Sequence, residues 1–65
     1  MRRITMIKLR GNRSQKEIAE KLGISQQHYS NIELGKRGIK PKMFKKFESV
    51  FNTSIKELAP DIFLK

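Results

Sequence analysis

Residues 14–25 read S-Q-K-E-I-A-E-K-L-G-I-S, and this stretch decides the fold. Ser14 and Glu17 stand three apart as a capping box, in which the Ser14 hydroxyl accepts from the Glu17 backbone N–H and the Glu17 carboxylate returns to the Ser14 N–H. A helix therefore starts at Gln15. Ile18, Ala19 and Leu22 recur at helical spacing, Gly23 can take a positive φ without steric cost, and Ser25 is a good N-cap for whatever follows. The spacing predicts helix, short turn, helix.

Upstream, apolar residues at Ile4, Ile7 or Met6, and Leu9 predict a first helix ending near Arg10, where Gly11 and Asn12 tolerate the left-handed conformation that closes a helix. Downstream, helix 3 runs over about residues 26–34 and stops at Gly35. The next seven residues, K-R-G-I-K-P-K, hold two helix breakers and four basic side chains, which makes a basic loop. Pro41 suits the first turn of helix 4, whose Phe44, Phe47 and Phe51 form an apolar stripe expected in the core. Ser54-Ile55-Lys56-Glu57 is a second capping box, opening a short helix 5 limited by Pro60. Strand-like alternation is absent. The chain reads as a single all-α domain over residues 1–65, a compact bundle of five short helices. Ile62, Phe63 and Leu64 have no obvious place in its core.

Sixty-five residues allow one marginal core. With no Cys there are no disulfides or thiolate metal sites, which fits a reducing cytoplasm, and no apolar run approaches a membrane span. Fifteen Lys and Arg against six Asp and Glu give a net charge of +9, which suits either a polyanionic partner such as nucleic acid or a well-solvated basic surface. An enzyme would need a nucleophile with its base, a carboxylate pair or a metal cluster; one His and six scattered acids supply none at a recognisable spacing. No catalytic residue, metal site or cofactor is expected. His28 is a lone histidine on the flank of helix 3 and reads as a surface residue. Arg2 and Arg3 are taken as a disordered start rather than an arm reaching a groove.

Helix 3 is unusual in its polar face. At about 100° per residue, Gln26, Gln27, Ser30 and Asn31 fall on one side with Leu34 among them, while Tyr29 and Ile32 fall on the other. A solvated face more often carries Lys and Glu, which are better helix formers. Gln and Asn amides place a donor beside an acceptor, which matches N6 and N7 of adenine in the major groove, and an α-helix fits that groove. A merely solubilising face is the alternative that these residues alone leave open.

The spaced set Gln15, Ile18, Ala19, Leu22, Gly23, Ile24, Ile32 and Gly35 resembles the helix-turn-helix regulators of the Cro and phage repressor type, the Xre-like family with its lambda repressor-like DNA-binding domain. F-N-T-S-I-K-E-L, residues 51–58, also looks like that family's passage from its fourth helix into its fifth. The resemblance implies that Gln26 and Gln27 read base edges, with Asn31 and Ser30 adding base contacts. It implies a phosphate contact for Gln15, which would also brace Gln26. Lys36, Arg37, Lys40 and Lys42 become phosphate clamps, joined by Arg13 and Ser25. Glu33 would pair with a basic residue of helix 1, with Arg10 the choice over Lys8. Tyr29 replaces the family's usual Ile or Val, so its hydroxyl needs a partner, and Leu34 takes the slot of an Asn that touches the backbone.

The function implied is a sequence-specific, double-stranded DNA-binding transcriptional regulator, a cytoplasmic repressor without membrane attachment. It would bind a palindrome-like operator as a homodimer paired through Ile62, Phe63 and Leu64. The competing expectation is a protein-interaction module, such as the DNA-binding antitoxin of a toxin–antitoxin pair, in which the same C-terminal end binds another protein.

Overall fold

The computed structural model describes residues 2–63, with side chains for residues 2–61. Five α-helices follow one another: α1 (Ile4–Arg10), α2 (Gln15–Leu22), α3 (Gln26–Glu33), α4 (Phe44–Phe51) and α5 (Ile55–Leu58). Two 3-10 turns, Pro41–Met43 and Pro60–Phe63, precede α4 and follow α5. No strand occurs among the described residues. This is the all-α bundle expected from the periodicity.

The helix ends follow from local chemistry. Ser14 Oγ accepts from Glu17 N–H at 3.0 Å, so one half of the capping box is made; the return bond from the Glu17 carboxylate is not. Gly23 closes α2 at φ 75°, and its N–H reaches Ala19 O and Glu20 O while Ile24 N–H bonds Ala19 O at 3.0 Å. A residue with a Cβ is strained in that left-handed conformation, which is why the turn needs glycine. Pro41 opens its own 3-10 turn rather than the first turn of α4. That turn ends at Met43, and α4 starts at Phe44.

The second capping box is not formed. Ser54 occupies the N-cap of α5, but its hydroxyl caps nothing. Instead Glu48, reaching from α4, accepts the Ile55 N–H at 2.8 Å. A charged acceptor from a neighbouring helix outcompetes a local hydroxyl for an orphan helix-end donor.

α2 packs on α3 and α4, and α1 touches α3, α4 and α5. The core consists of Met6, Ile18, Ala19, Leu22, Tyr29, Ile32, Ile39, Phe47, Phe51, Ile55, Leu58 and Ala59. Phe44 packs against its margin. Phe47 and Phe51 stack with ring centroids 6.4 Å apart. From α1 only Met6 is fully buried; Ile4 and Leu9 remain exposed. A seven-residue helix turns one face to the bundle, and the interior between α3, α4 and α5 takes a single side chain from it.

Candidate nucleic-acid interface

α3 is anchored from behind by Tyr29 and Ile32, both buried, and capped by Ser25, whose Oγ accepts from His28 N–H at 3.1 Å. Gln26 and Gln27 are exposed, and Ser30 and Asn31 are half-buried. The helix therefore turns its uncharged hydrogen-bonding side outward, as its periodicity predicts.

Beneath that face lies a polar brace. Arg10 donates from Nε to Glu33 Oε2 at 2.6 Å and from Nη2 to Oε1 at 3.3 Å, and Gln15 Nε2 donates to Oε1 at 2.9 Å. The helix 1 partner of Glu33 is Arg10, as chosen from the sequence. Burial by itself raises the Glu33 carboxyl pKa, but the bonds from Arg10 and Gln15 outweigh it and hold it below the usual carboxylate value. The Tyr29 hydroxyl lies close enough to feel this carboxylate, yet no donor or acceptor meets it at hydrogen-bonding geometry. The partner expected for it is not found. Burial first, and the neighbouring carboxylate second, push the phenol above its ordinary range.

Gln15, Gln26, Gln27 and Ser30 border one polar concavity where the start of α2 meets the start of α3. Gln15 is thus beside Gln26, with its amide nitrogen committed to Glu33. One turn along, Gln27 Nε2 donates to Asn31 Oδ1 at 3.2 Å. Leu34 sits half-buried at the C-cap of α3, outside the core cluster.

The chain doubles back after α3 at Gly35, φ 77°, and the Lys36 N–H returns to Asn31 O at 2.9 Å. Lys36, Arg37, Lys40 and Lys42 then border one open groove of about 660 Å³ floored by Ile24 and Met43, with no acidic residue in its lining. The four expected phosphate clamps are brought together. They adjoin the flank of α3 that carries His28 and Ile32. Base edges flanked by phosphates call for uncharged donors and acceptors together with cations, and α3 and the loop after it carry both.

A helix-turn-helix family model matches residues 5–58. The chain belongs to this family of Cro and phage repressor-type helix-turn-helix proteins. No curated protein and no solved structure matches it.

As a helix-turn-helix protein it is a DNA-binding regulator of a non-enzymatic family. Among its described residues no group of three or more His, Asp and Glu is placed to hold a metal ion, and no helix is long and apolar enough to cross a membrane.

Two arginines of this helix-turn-helix chain make contacts that the sequence did not signal. Arg13 donates from Nε to Arg10 O at 3.2 Å and from Nη2 to Leu9 O at 2.9 Å, and its guanidinium carbon lies 5.9 Å from the Phe51 ring centroid. It is folded against α1 and α4 and stands apart from the basic groove. Arg3 is not a disordered start. It is 5% exposed, its N–H bonds Glu33 O at 2.8 Å, and its guanidinium forks onto Asp61 at 3.2 and 2.8 Å while Nη1 serves Ile32 O and, at 2.7 Å, Arg37 O. Arg2 stays exposed. The sequence signal for Arg3 was weak, since an Arg beside a terminus is ordinarily solvated; a lone Asp after Pro60 was the only hint of a partner.

The C-terminal residues assigned to pairing, Ile62, Phe63 and Leu64, lie outside the described side chains, Leu64 altogether.

Proposed function

We propose that this chain is a sequence-specific repressor that lays α3 in the major groove of double-stranded DNA. Gln26 and Gln27 read base edges, with Ser30 and Asn31 beside them. Lys36, Arg37, Lys40 and Lys42 grip the phosphates that flank the groove, Ser25 and Gln15 meet the backbone at the helix ends, and Arg13 acts only if it leaves Phe51. The observation that carries the reading is that α3 borders two concavities: Gln26, Gln27 and Ser30 line an uncharged polar one with Gln15, while His28 and Ile32 line a groove whose charged residues, Lys36, Arg37, Lys40 and Lys42, are all basic. Base recognition needs donors and acceptors in fixed register, and affinity needs charge, so the two belong side by side.

One recognition helix spans too few base pairs for operator specificity, so the repressor acts in the cytoplasm as a two-fold homodimer on a palindrome-like site. Its half-sites stand roughly 34 Å apart, and Ile62, Phe63 and Leu64 pair the copies. Selection of bound sites from a random double-stranded library tests this directly. Enrichment of two related half-sites one helical turn apart is expected; no enriched sequence overturns base reading, and a lone half-site bound by one protomer overturns the dimer.

A further inference from the structure

We propose that Arg3 is a positioning residue for DNA binding, locked by Asp61 so that it sets the backbone of the phosphate-gripping turn after α3. This rests on the reading of Lys36 and Arg37 as phosphate contacts.

The turn has two sets of restraints. From inside, Asn31 O accepts both Lys36 N–H at 2.9 Å and Arg37 N–H at 3.3 Å. From behind, Arg3 takes carbonyls at and beyond the end of α3: its N–H holds Glu33 O, and Nη1 holds Arg37 O and shares Ile32 O with the Gly35 N–H. A cation placed there also offsets the negative end of the α3 dipole. The backbone of Arg37 is thus held through both its N–H and its C=O, which fixes where the Lys36 and Arg37 side chains leave the backbone.

Asp61 makes this arrangement definite. Its two oxygens meet Nε and Nη2 of Arg3, a fork-on-fork pair that fixes the guanidinium plane and leaves Nη1 pointing at the two carbonyls. Without the carboxylate the guanidinium regains rotational freedom, and Nη1 no longer serves two acceptors at once. The pair is asymmetric in exposure, with side chains 3% exposed for Arg3 and 28% for Asp61. Asp61 is therefore the more accessible partner to alter, and Asp61→Asn keeps a side-chain oxygen that can accept from Arg3. The turn Pro60–Phe63 becomes part of the DNA-gripping apparatus although it lies at the opposite end of the sequence from α1.

Asp61→Asn gives a test whose sign is informative. The substitution adds one positive charge to a chain already at +9, so charge alone predicts tighter binding to random-sequence DNA and a steeper salt dependence. Loss of positioning predicts the reverse: binding weakened roughly two- to fivefold with a shallower salt slope. It also predicts exchange of the Lys36 and Arg37 amides accelerated about tenfold, with the Ile18 amide unchanged. The effect of Asp61→Asn should nearly vanish on top of Arg37→Ala and Lys36→Ala combined. Arg3→Lys, which keeps charge without the fork, should reproduce the exchange change. A lowered melting temperature with equal or tighter DNA binding by the folded protein overturns the proposal, as does unchanged exchange at Lys36 and Arg37. If the unaltered protein bound no DNA, the reading of the turn as a phosphate grip would fall, while the exchange measurement would still decide whether Arg3 and Asp61 set the turn.

Discussion

Arg10 crosses from α1 to meet Glu33 at the end of α3, with Nε 2.6 Å from Oε2, and Gln15 of α2 bonds the same carboxylate at 2.9 Å. Three helices converge on one buried anion. The Glu33 side chain is 3% exposed, so its charge depends on these partners and not on water.

Glu33→Gln should cost about 2 to 3 kcal/mol in denaturant unfolding, because it replaces an ionised acceptor of several hydrogen bonds. The pH dependence has a definite sign. The folded-state carboxyl is held below its unfolded value of 4.5, so its contribution is present above pH 4.5 and is lost as the pH falls through the depressed value. Unfolding curves between pH 7 and pH 2 should show that acid loss in the unaltered chain and a flatter limb in Glu33→Gln. Identical limbs would remove Glu33 as a source of acid sensitivity.

Tyr29→Phe should be neutral or stabilising by up to about 1 kcal/mol, since the lost hydroxyl is buried without a partner while the ring remains to fill its space. Thermal melts of the two proteins decide it. A loss of about 2 kcal/mol would mean that the hydroxyl is hydrogen-bonded in solution.

At the start of α5 the capping acceptor is Glu48 and not Ser54. Glu48→Ala should therefore destabilise by about 1 kcal/mol, and Ser54→Ala by only a few tenths. Chemical denaturation of both variants ranks them. The opposite ranking would restore the local capping box.

Gln26→Ala or Gln27→Ala should cost about 1 to 3 kcal/mol on the selected site and little on random DNA. Lys36→Ala or Arg37→Ala should weaken both and lower the salt slope by about one. Titrations on both DNAs at several salt concentrations separate the classes. Equal losses on both DNAs for all four variants would remove the distinction between base readers and phosphate grips.

The parts of the fold that depend on nearest neighbours were legible in the sequence. The α2 start at Ser14, the Gly23 turn, the Ser25 cap and the split of α3 into an apolar and an amide face all follow from residues within four positions of one another. The choice of Arg10 for Glu33 needed knowledge of which helices converge, and the family resemblance supplied it. What escaped were pairings set by packing between separate elements. Glu48 and Ile55 belong to different helices, and Arg3 and Asp61 lie 58 positions apart. No periodicity links such residues. The contact of Arg13 with the Phe51 ring was illegible for the same reason, since it arises only once α4 has docked.

The bond from Gln27 to Asn31 bears on the heat and entropy of recognition. Two side chains that restrain each other before contact have fewer rotamers left to surrender when they meet a base. Gln26, free of any such tether on its own helix face, surrenders more. If that difference persists in the complex, the Gln27–Asn31 half of the proposed reading surface should select its bases with the smaller ordering cost. Mismatches beneath it should then show as lost enthalpy rather than as regained side-chain freedom.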